Sequence, residues 1–375
     1  TSVRRRYSDF QWLYSRLQTE LPGAIVPMIP HKMAMGKKFD PAFVEMRRRH
    51  LQNFMTAVVG HPEMQRAPSM TPFMLDKFGV EFDTGKKKVE AANPTFIELA
   101  DEEAQSTVQQ VSNMLAKAGT LLRVRAGKKE LIQTPEEQQI EAIQTYINIV
   151  EAQVKSLVKA AEAMTEATGQ MATAIGDMTT PLAEWKSGYQ QSTKISDEIC
   201  DMMSALREFS NDYSQLLRLK HREEQIEFED VMLRLGTDVK SIKTALKQRK
   251  QWQLAYTARM EQISAKEDQI SKATFSLKPP EITGKYSQER SELMRLAQAE
   301  KAKLEESTAR FLKEATKSQK RLERQLKEAF HHYAKVQIAY TSRINEAWGQ
   351  LLPYVAQDDE PQQQDEEQAL EPGPP

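Results

Sequence analysis

Apolar residues recur at steps of three and four from Ile140 through Ile143, Ile147, Val150, Val154, Leu157, Ala161, Met164, Met171 and Ile175 to Met178. This is the repeat of one buried helical stripe, sustained over about forty residues. Thr134-Pro135-Glu136-Glu137 predicts its start: a capping hydroxyl, proline at the first helical position and Glu at the third. The stripe runs on through Leu182 and Trp185, favouring a kink at Pro181 and an end near Gly188 over a true break within 176–181. A second stripe, Ile195, Ile199, Met202, Leu206, Phe209 and Tyr213, then Leu235, Val239, Ile242, Leu246, Trp252 and Tyr256, predicts a helix over about 193–275. Leu277 to Gly284, with Pro279 and Pro280, ends it. A third helix, about 286–352, carries Leu304, Phe311, Ala315, Leu322, Ala329, Val336 and Tyr340 and stops at Pro353.

At ~1.5 Å per residue, eighty helical residues reach ~120 Å. Rods of that length with one apolar stripe each find partners in an antiparallel three-helix coiled-coil bundle. A stripe left over on such a bundle predicts a dimer.

The amino-terminal part is built differently. Ser8 or Asp9 can cap a helix reaching about Leu21, with Phe10, Leu13 and Leu17 on one face. Pro22, Gly23, Pro27, Pro30, Gly36 and Pro41 mark a long loop. Phe43, Leu51, Phe54 and Val58 then line an amphipathic helix. Gly79, Gly85, Lys86-Lys87-Lys88 and Pro94 read as a linker over 79–94. From about 103 to 124, Val108, Val111, Leu115, Ala118 and Leu122 share a face followed by Lys117, Arg123, Arg125, Lys128 and Lys129. Such a segment can lie in a lipid headgroup plane or pack on the bundle as an extra helix.

Overall charge is even, with 52 Lys and Arg against 53 Asp and Glu, so it selects no nucleic acid. It hides a gradient: residues 1–50 hold ten basic and four acidic side chains, whereas 357–375 hold seven acids, four prolines and no base. That end predicts a disordered acidic tail. A mean hydropathy of −0.63 with 39% hydrophobic residues is lean for a large globular enzyme and ordinary for two-faced helices. The single cysteine, Cys200, excludes an intrachain disulfide framework and fits a reducing cytosol. No apolar run nears the ~20 residues of a membrane span, so membrane contact is expected to be peripheral. Thr1 in place of an initiator Met leads us to expect a fragment or processed form.

Catalytic chemistry finds no foothold. There is no Gly-rich phosphate loop, zinc-type Cys/His spacing or nucleophile elbow, and the six histidines are scattered. No enzyme, cofactor or metal site is expected. Nor is nucleic-acid binding, since the basic stretch lacks an aromatic stacking platform.

The basic stretch has a phosphate-binding pattern. Arg4-Arg5-Arg6-Tyr7-Ser8-Asp9-Phe10 sets arginine beside an aromatic at a helix start, suiting a ring that carries phosphates. Val26-Pro27-Met28-Ile29-Pro30-His31-Lys32 places a cation after a proline-stiffened turn. Phe43-Val44-Glu45-Met46-Arg47-Arg48 through Leu51 and Phe54 to His61-Pro62 completes the set. These three motifs, in this order, resemble a PX domain, the phosphoinositide-binding module of sorting nexins, over residues 1–80. The resemblance implies that Arg6 holds the 3-phosphate of phosphatidylinositol 3-phosphate and that Tyr7 packs beneath the inositol ring. It implies Lys32 at the 1-phosphate and Arg47 at the 4- and 5-hydroxyls. Ile25, Val26, Met28 and Ile29 resemble the membrane-inserting loop of such domains, with loop packing as the alternative. The chain begins where the last strand of the PX sheet should end, so the sheet is expected to be largely missing.

A PX module followed by three long helices resembles the BAR-containing sorting nexins. The implied fold is mainly α: a truncated α+β PX domain over 1–80, a linker with an amphipathic helix over 81–133, a BAR-type antiparallel coiled-coil bundle over 134–353 and the tail over 354–375. The implied role is phosphoinositide binding with curvature sensing or induction, in endosomal protein sorting and tubular transport. The implied place is the cytosolic face of early or recycling endosomes, as a homo- or heterodimer with another BAR sorting nexin. Thr274 to Lys278, Leu121 to Arg125 and Ala347-Trp348 lean toward the recycling and autophagy branch over the retromer-associated one. On the bundle, Lys240, Lys243, Lys247, Arg249 and Lys250, with Lys313, Lys317, Lys320, Arg321, Arg324 and Lys327, are candidates for anionic lipid. The alternative function is a coiled-coil scaffold without direct lipid recognition.

Overall fold

The computed structural model describes residues 2–30, 41–92, 119–120, 123, 130–191, 196–276 and 279–356. The expected connecting helix falls mostly, and the acidic tail almost wholly, outside these residues. The chain forms two compact units: Thr1–Ser156 with Leu233–Leu326, and Leu157–Met232 with Lys327–Pro375. The described residues contain helices and no strand.

In the first unit the amino-terminal module consists of α1 (Tyr7–Glu20), α2 (Pro41–Val59), a 3₁₀ turn (Met64–Arg66), α3 (Met70–Leu75) and α4 (Val80–Ala92). Contrary to expectation, neither Ser8 nor Asp9 is the N-cap of α1; Arg6 holds that position. Asp9 sits at the third helical position and accepts the Arg6 backbone N–H at 2.7 Å, satisfying the chain where the strand-like entry becomes helix. Leu13 and Leu17, one turn apart, meet Phe54 and Val58 of α2 in a core closed by Met64, Phe73 and Phe82. Phe10 packs edge-on against Phe73 at 5.1 Å, and Trp12 against Phe82 at 5.7 Å.

The predicted linker over 79–94 is corrected: residues 80–92 are helix α4. Gly79, at φ +102°, turns the chain into it. Phe82 and Val89 are buried, Lys86 reaches Asp9 at 2.9 Å and Trp12 donates to Glu90 at 2.7 Å. Packing on α1 supplies what the Gly- and Lys-rich composition lacks.

Parts of three long helices share this unit with the module: α5 (Glu137–Asp177), α8 (Asp230–Phe275) and α9 (Pro280–Val355). Their buried residues repeat every seven: Ile140, Ile147 and Val154 on α5, and Ala297, Leu304, Phe311 and Ser318 on α9. That is the seam of a coiled coil. On α8 the series Leu235 and Ile242 continues to Arg249, only 2% exposed. This arginine, expected as a lipid contact, is instead a core residue. It binds Glu137 at 2.6 and 2.9 Å, Thr134 at 2.8 Å and Thr308 at 3.1 Å. Helix α5 accordingly begins at Glu137 rather than Pro135. Burial pushes the Glu137 carboxyl up, but the hydrogen bonds and charge of Arg249, with Thr134, hold it below its ordinary value.

The second unit contains the rest of α5 and α9, together with α6 (Thr179–Gln191) and α7 (Asp197–Glu224), the latter joined to α8 by a π-helical turn, Gln225–Glu229. The expected kink at Pro181 is a break at Met178, and Pro181 lies in the first turn of α6, where a missing N–H costs little. The preceding helix ends at Phe275, as expected; Pro280 starts α9, earlier than the expected 286, and Pro353 rides in its last turn instead of stopping it. Small residues bring α5 and α7 together: Ser214 donates to the Ala172 carbonyl at 2.7 Å, and His221 Nδ1 lies 2.8 Å from the Thr165 carbonyl. Phe209 and Tyr213 pack on Trp348 of α9. Met164, Met171, Met178 and Trp185, one every seven residues, remain 43%, 47%, 50% and 56% exposed.

Candidate functional site

The three consecutive arginines have different surroundings. Arg5 is turned inward, donating to the carbonyls of Phe73 (2.8 Å), Pro72 (2.8 Å) and Asp76 (2.6 Å). It thus neutralises the carbonyl end of α3, where a cation is favoured, and its guanidinium lies 4.0 Å from the Phe82 ring centroid. Arg6 is exposed, rests over Phe78 at 4.5 Å, and immediately precedes the tyrosine of the site.

Tyr7, the first residue of α1, donates its hydroxyl to the Pro30 carbonyl. Arg47 of α2 lies over the Tyr7 ring at 4.7 Å and over Phe43 at 4.5 Å. Stacked between two aromatics, its guanidinium is held in one orientation. Its Nε is buried without a hydrogen-bond partner among the described residues. Burial raises the Tyr7 hydroxyl pKa, opposed by the charge of Arg47. The structure therefore brings Tyr7 and Arg47 together beside Arg6. Lys32 lies outside the described residues. Arg48, next in sequence, points outward and pairs with Glu45.

The apolar loop differs from expectation. Ile25 and Val26 are 4% and 2% exposed, which corrects their assignment as membrane contacts: the base of this loop packs inward and docks on the bundle. The Ile25 N–H donates to Glu314 at 2.6 Å, the Met28 N–H to Ser241 at 3.0 Å, and Arg310 to the Pro22 carbonyl at 2.5 Å. Gly23, at φ +82°, approaches Ser307 so closely that a Cβ there would lie 2.1 Å from its carbonyl oxygen. Met28 and Ile29 are half-buried. On α9, Lys317 and Lys320 are exposed, whereas Arg321 turns to Asp238 at 3.4 Å.

The docking residues were missed by sequence reasoning. His61 accepts the Glu63 and Met64 N–H groups at Nδ1, which leaves the proton on Nε2, 3.1 Å from Glu314. Glu63 pairs with Arg310 at 2.9 Å, whose hydrogen bond holds the Glu63 carboxyl below its ordinary value. The available signal was periodic: Ser307, Glu314 and Arg321 recur every seven residues of α9. A polar stripe of that kind looks solvated until its partner is in place.

A cluster of arginines and a tyrosine on a helical module, docked against a coiled coil of long helices, is the build of a PX–BAR protein. Residues 1–77 match the PX domain and residues 129–354 match the family described as Vps5 C terminal like. Because the second match covers more than half of the chain, the protein belongs to the Vps5 C-terminal-like family. Sorting nexin 1 of Arabidopsis thaliana is 24% identical over 94% of this chain and 82% of its own length. Sorting nexin-4 of Gibberella zeae is 38% identical over 20% of this chain, and the match spans only 17% of that protein. The fold agrees with the cryo-EM structure of the SNX-BAR Mvp1 tetramer, at a TM-score of 0.65 and 15% identity over 94% of this chain and 90% of that one. The chain is thus a membrane-binding, curvature-sensing sorting nexin of endosomal protein sorting. Its association with membrane is peripheral, and no helix among the described residues is long and apolar enough to cross one. No group of metal-ligating side chains occurs among the described residues.

Proposed function

We propose that the chain recognises phosphatidylinositol 3-phosphate on the cytosolic face of early or recycling endosomes, and that it does no catalysis. Arg6 takes the 3-phosphate, Tyr7 packs beneath the ring, Arg47 meets the 4- and 5-hydroxyls and Lys32 the 1-phosphate. The observation that carries this reading is Arg47, stacked on Tyr7 beside the exposed Arg6 with a buried Nε awaiting an acceptor. Met28 and Ile29 remain the loop's candidates for bilayer contact, and Lys317 and Lys320 those of the bundle. Vesicle flotation tests the reading. Arg6→Gln removes one charge-assisted contact, worth ~1.5–3 kcal/mol, so binding to vesicles containing phosphatidylinositol 3-phosphate should weaken about 10- to 100-fold. Equal binding by wild type and variant rejects the assignment of Arg6, and no binding by either favours a protein-binding scaffold.

We also propose that the chain pairs, with itself or another BAR sorting nexin, through the exposed heptad line of Met164, Met171 and Met178. Methionines at seven-residue spacing form a coiled-coil seam that stays exposed among the described residues. Light scattering should give a mass near twice 42.9 kDa, or near that of a one-to-one complex after mixing with a BAR sorting nexin. Met164→Glu with Met171→Glu should halve either. A wild-type chain that stays monomeric in both settings rules this face out. The recycling and autophagy branch is our preferred setting over the retromer-associated one, on the motifs Thr274 to Lys278, Leu121 to Arg125 and Ala347-Trp348.

A further inference from the structure

Within the first unit, where the amino-terminal module meets α8 and α9, there is a cavity of about 110 Å³. Pro27, Met28 and Pro30 of the loop cover one side, and Arg234, Arg321 and Gln325 of the bundle line the other. Among the described residues, three buried side-chain atoms without a hydrogen bond lie on these bundle residues: Arg234 Nε, Gln325 Oε1 and Arg321 Nε, the last held only by its 3.4 Å ion pair with Asp238. Buried unsatisfied polar groups are scarce in native proteins, so their gathering around one cavity signals a missing partner.

The chemistry of that partner can be read from the atoms. Asp238 accepts from Gln325 Nε2 at 3.1 Å and pairs with Arg321 at 3.4 Å. Its charge is therefore engaged by Arg321. The Arg234 side chain makes no hydrogen bond or ion pair among the described residues. The lining thus offers guanidinium donors with an excess positive charge, plus one amide oxygen that needs a donor. Water, about four molecules at ~30 Å³ each, could satisfy the hydrogen bonds, whereas an anion also neutralises the half-buried Arg234, which pairs with no carboxylate among the described residues. A phosphate monoester in its monoprotonated form answers both needs: its anionic oxygens accept from the arginines and its hydroxyl donates to Gln325.

We propose that this seam is a second anion site, for a phosphate monoester, centred on Arg234 and distinct from the Arg6–Tyr7–Arg47 pocket. Its occupant ties the loop to the bundle. The two sites share Pro30, which lines the cavity and accepts the Tyr7 hydroxyl, so an anion in the seam steadies the aromatic floor of the headgroup pocket.

The full chain can be tested with inorganic phosphate, soluble inositol 1,3-bisphosphate and vesicles with or without phosphatidylinositol 3-phosphate. Phosphate should raise the melting temperature of the wild type and of Arg6→Gln alike. Arg234→Gln should need at least about tenfold more phosphate for the same shift. If Arg234→Gln lowers helix content, Arg234→Lys, which keeps the charge and drops Nε, takes its place. A loss confined to the soluble anions identifies a free phosphate as the occupant, and a parallel loss of vesicle binding identifies a lipid headgroup. No shift in the wild type, an equal shift in wild type and Arg234 variants, or loss through Arg6→Gln instead overturns the second site. The last of these would leave the headgroup reading intact, whereas an Arg234-dependent shift with Arg6-independent vesicle binding would overturn only that reading.

Discussion

Arg249→Ala is expected to destabilise the bundle by about 3–5 kcal/mol, because removing one partner of a buried pair leaves the other uncompensated. The guanidinium joins three chain segments: Glu137 and Thr134 at the entry of α5, its own helix α8, and Thr308 on α9. Gln253, one turn on, adds bonds to the Ile132 carbonyl and Glu137 at 3.0 and 3.1 Å. Denaturant titration followed by helix content should show the loss, and adding Glu137→Gln should return part of it. The pair also has a pH signature. Glu137 titrates below its ordinary 4.5 in the folded chain, so the unfolded chain takes up the proton first. Its contribution is whole above about pH 4.5 and is lost as pH falls from there through the folded pKa. Arg249→Ala should flatten that acid limb. A loss under ~1 kcal/mol with an unchanged limb would show that the pair contributes no more than a surface ion pair does.

Gly23→Val should undock the PX module from α9. A side chain at φ +82° carries a backbone penalty of roughly 1–2 kcal/mol, and its first carbon would lie 2.1 Å from a helical carbonyl. Backbone, unlike a flexible side chain, cannot step aside. The neighbouring bonds, Arg310 to Pro22 and the Ile25 N–H to Glu314, would be lost with it. Limited proteolysis across 22–30 should accelerate by about 30-fold or more if opening is favoured by ~2 kcal/mol. Gly188→Ala, where nothing lies within 4 Å, should leave that rate unchanged. Equal rates for Gly23→Val and wild type would mean that the loop is held elsewhere.

The long helices were legible because their cores repeat every seven residues, and that repeat is local to each segment. Ile140, Ile147 and Val154 can be read as a seam without knowing what they face. The loop and arginine motifs of the PX module were legible for a similar reason, since Arg6, Tyr7 and Asp9 act within one turn. Arg249 shows where this stops. It lies on the same seven-residue series as Leu235 and Ile242, yet a charge there looks solvated until Glu137, over a hundred positions earlier, is beside it. Helix α4 was hidden for the converse reason. Its composition suggests a linker, and only Trp12, Asp9 and Phe73 give Phe82 and Lys86 something to pack on.

The amino-acid sequence by itself determined the helical class, the seven-residue repeat of the long helices and which residue types could meet a phosphate. These follow from periodicity and from chemistry carried within a turn or two of chain. Tertiary structure alone decided which arginine is structural (Arg5, Arg249) and which is exposed (Arg6). It also decided that Ile25 and Val26 face the protein, and that unsatisfied donors gather around Arg234. Each of those depends on burial and on partners brought from distant segments, and neither is encoded in any single stretch of chain.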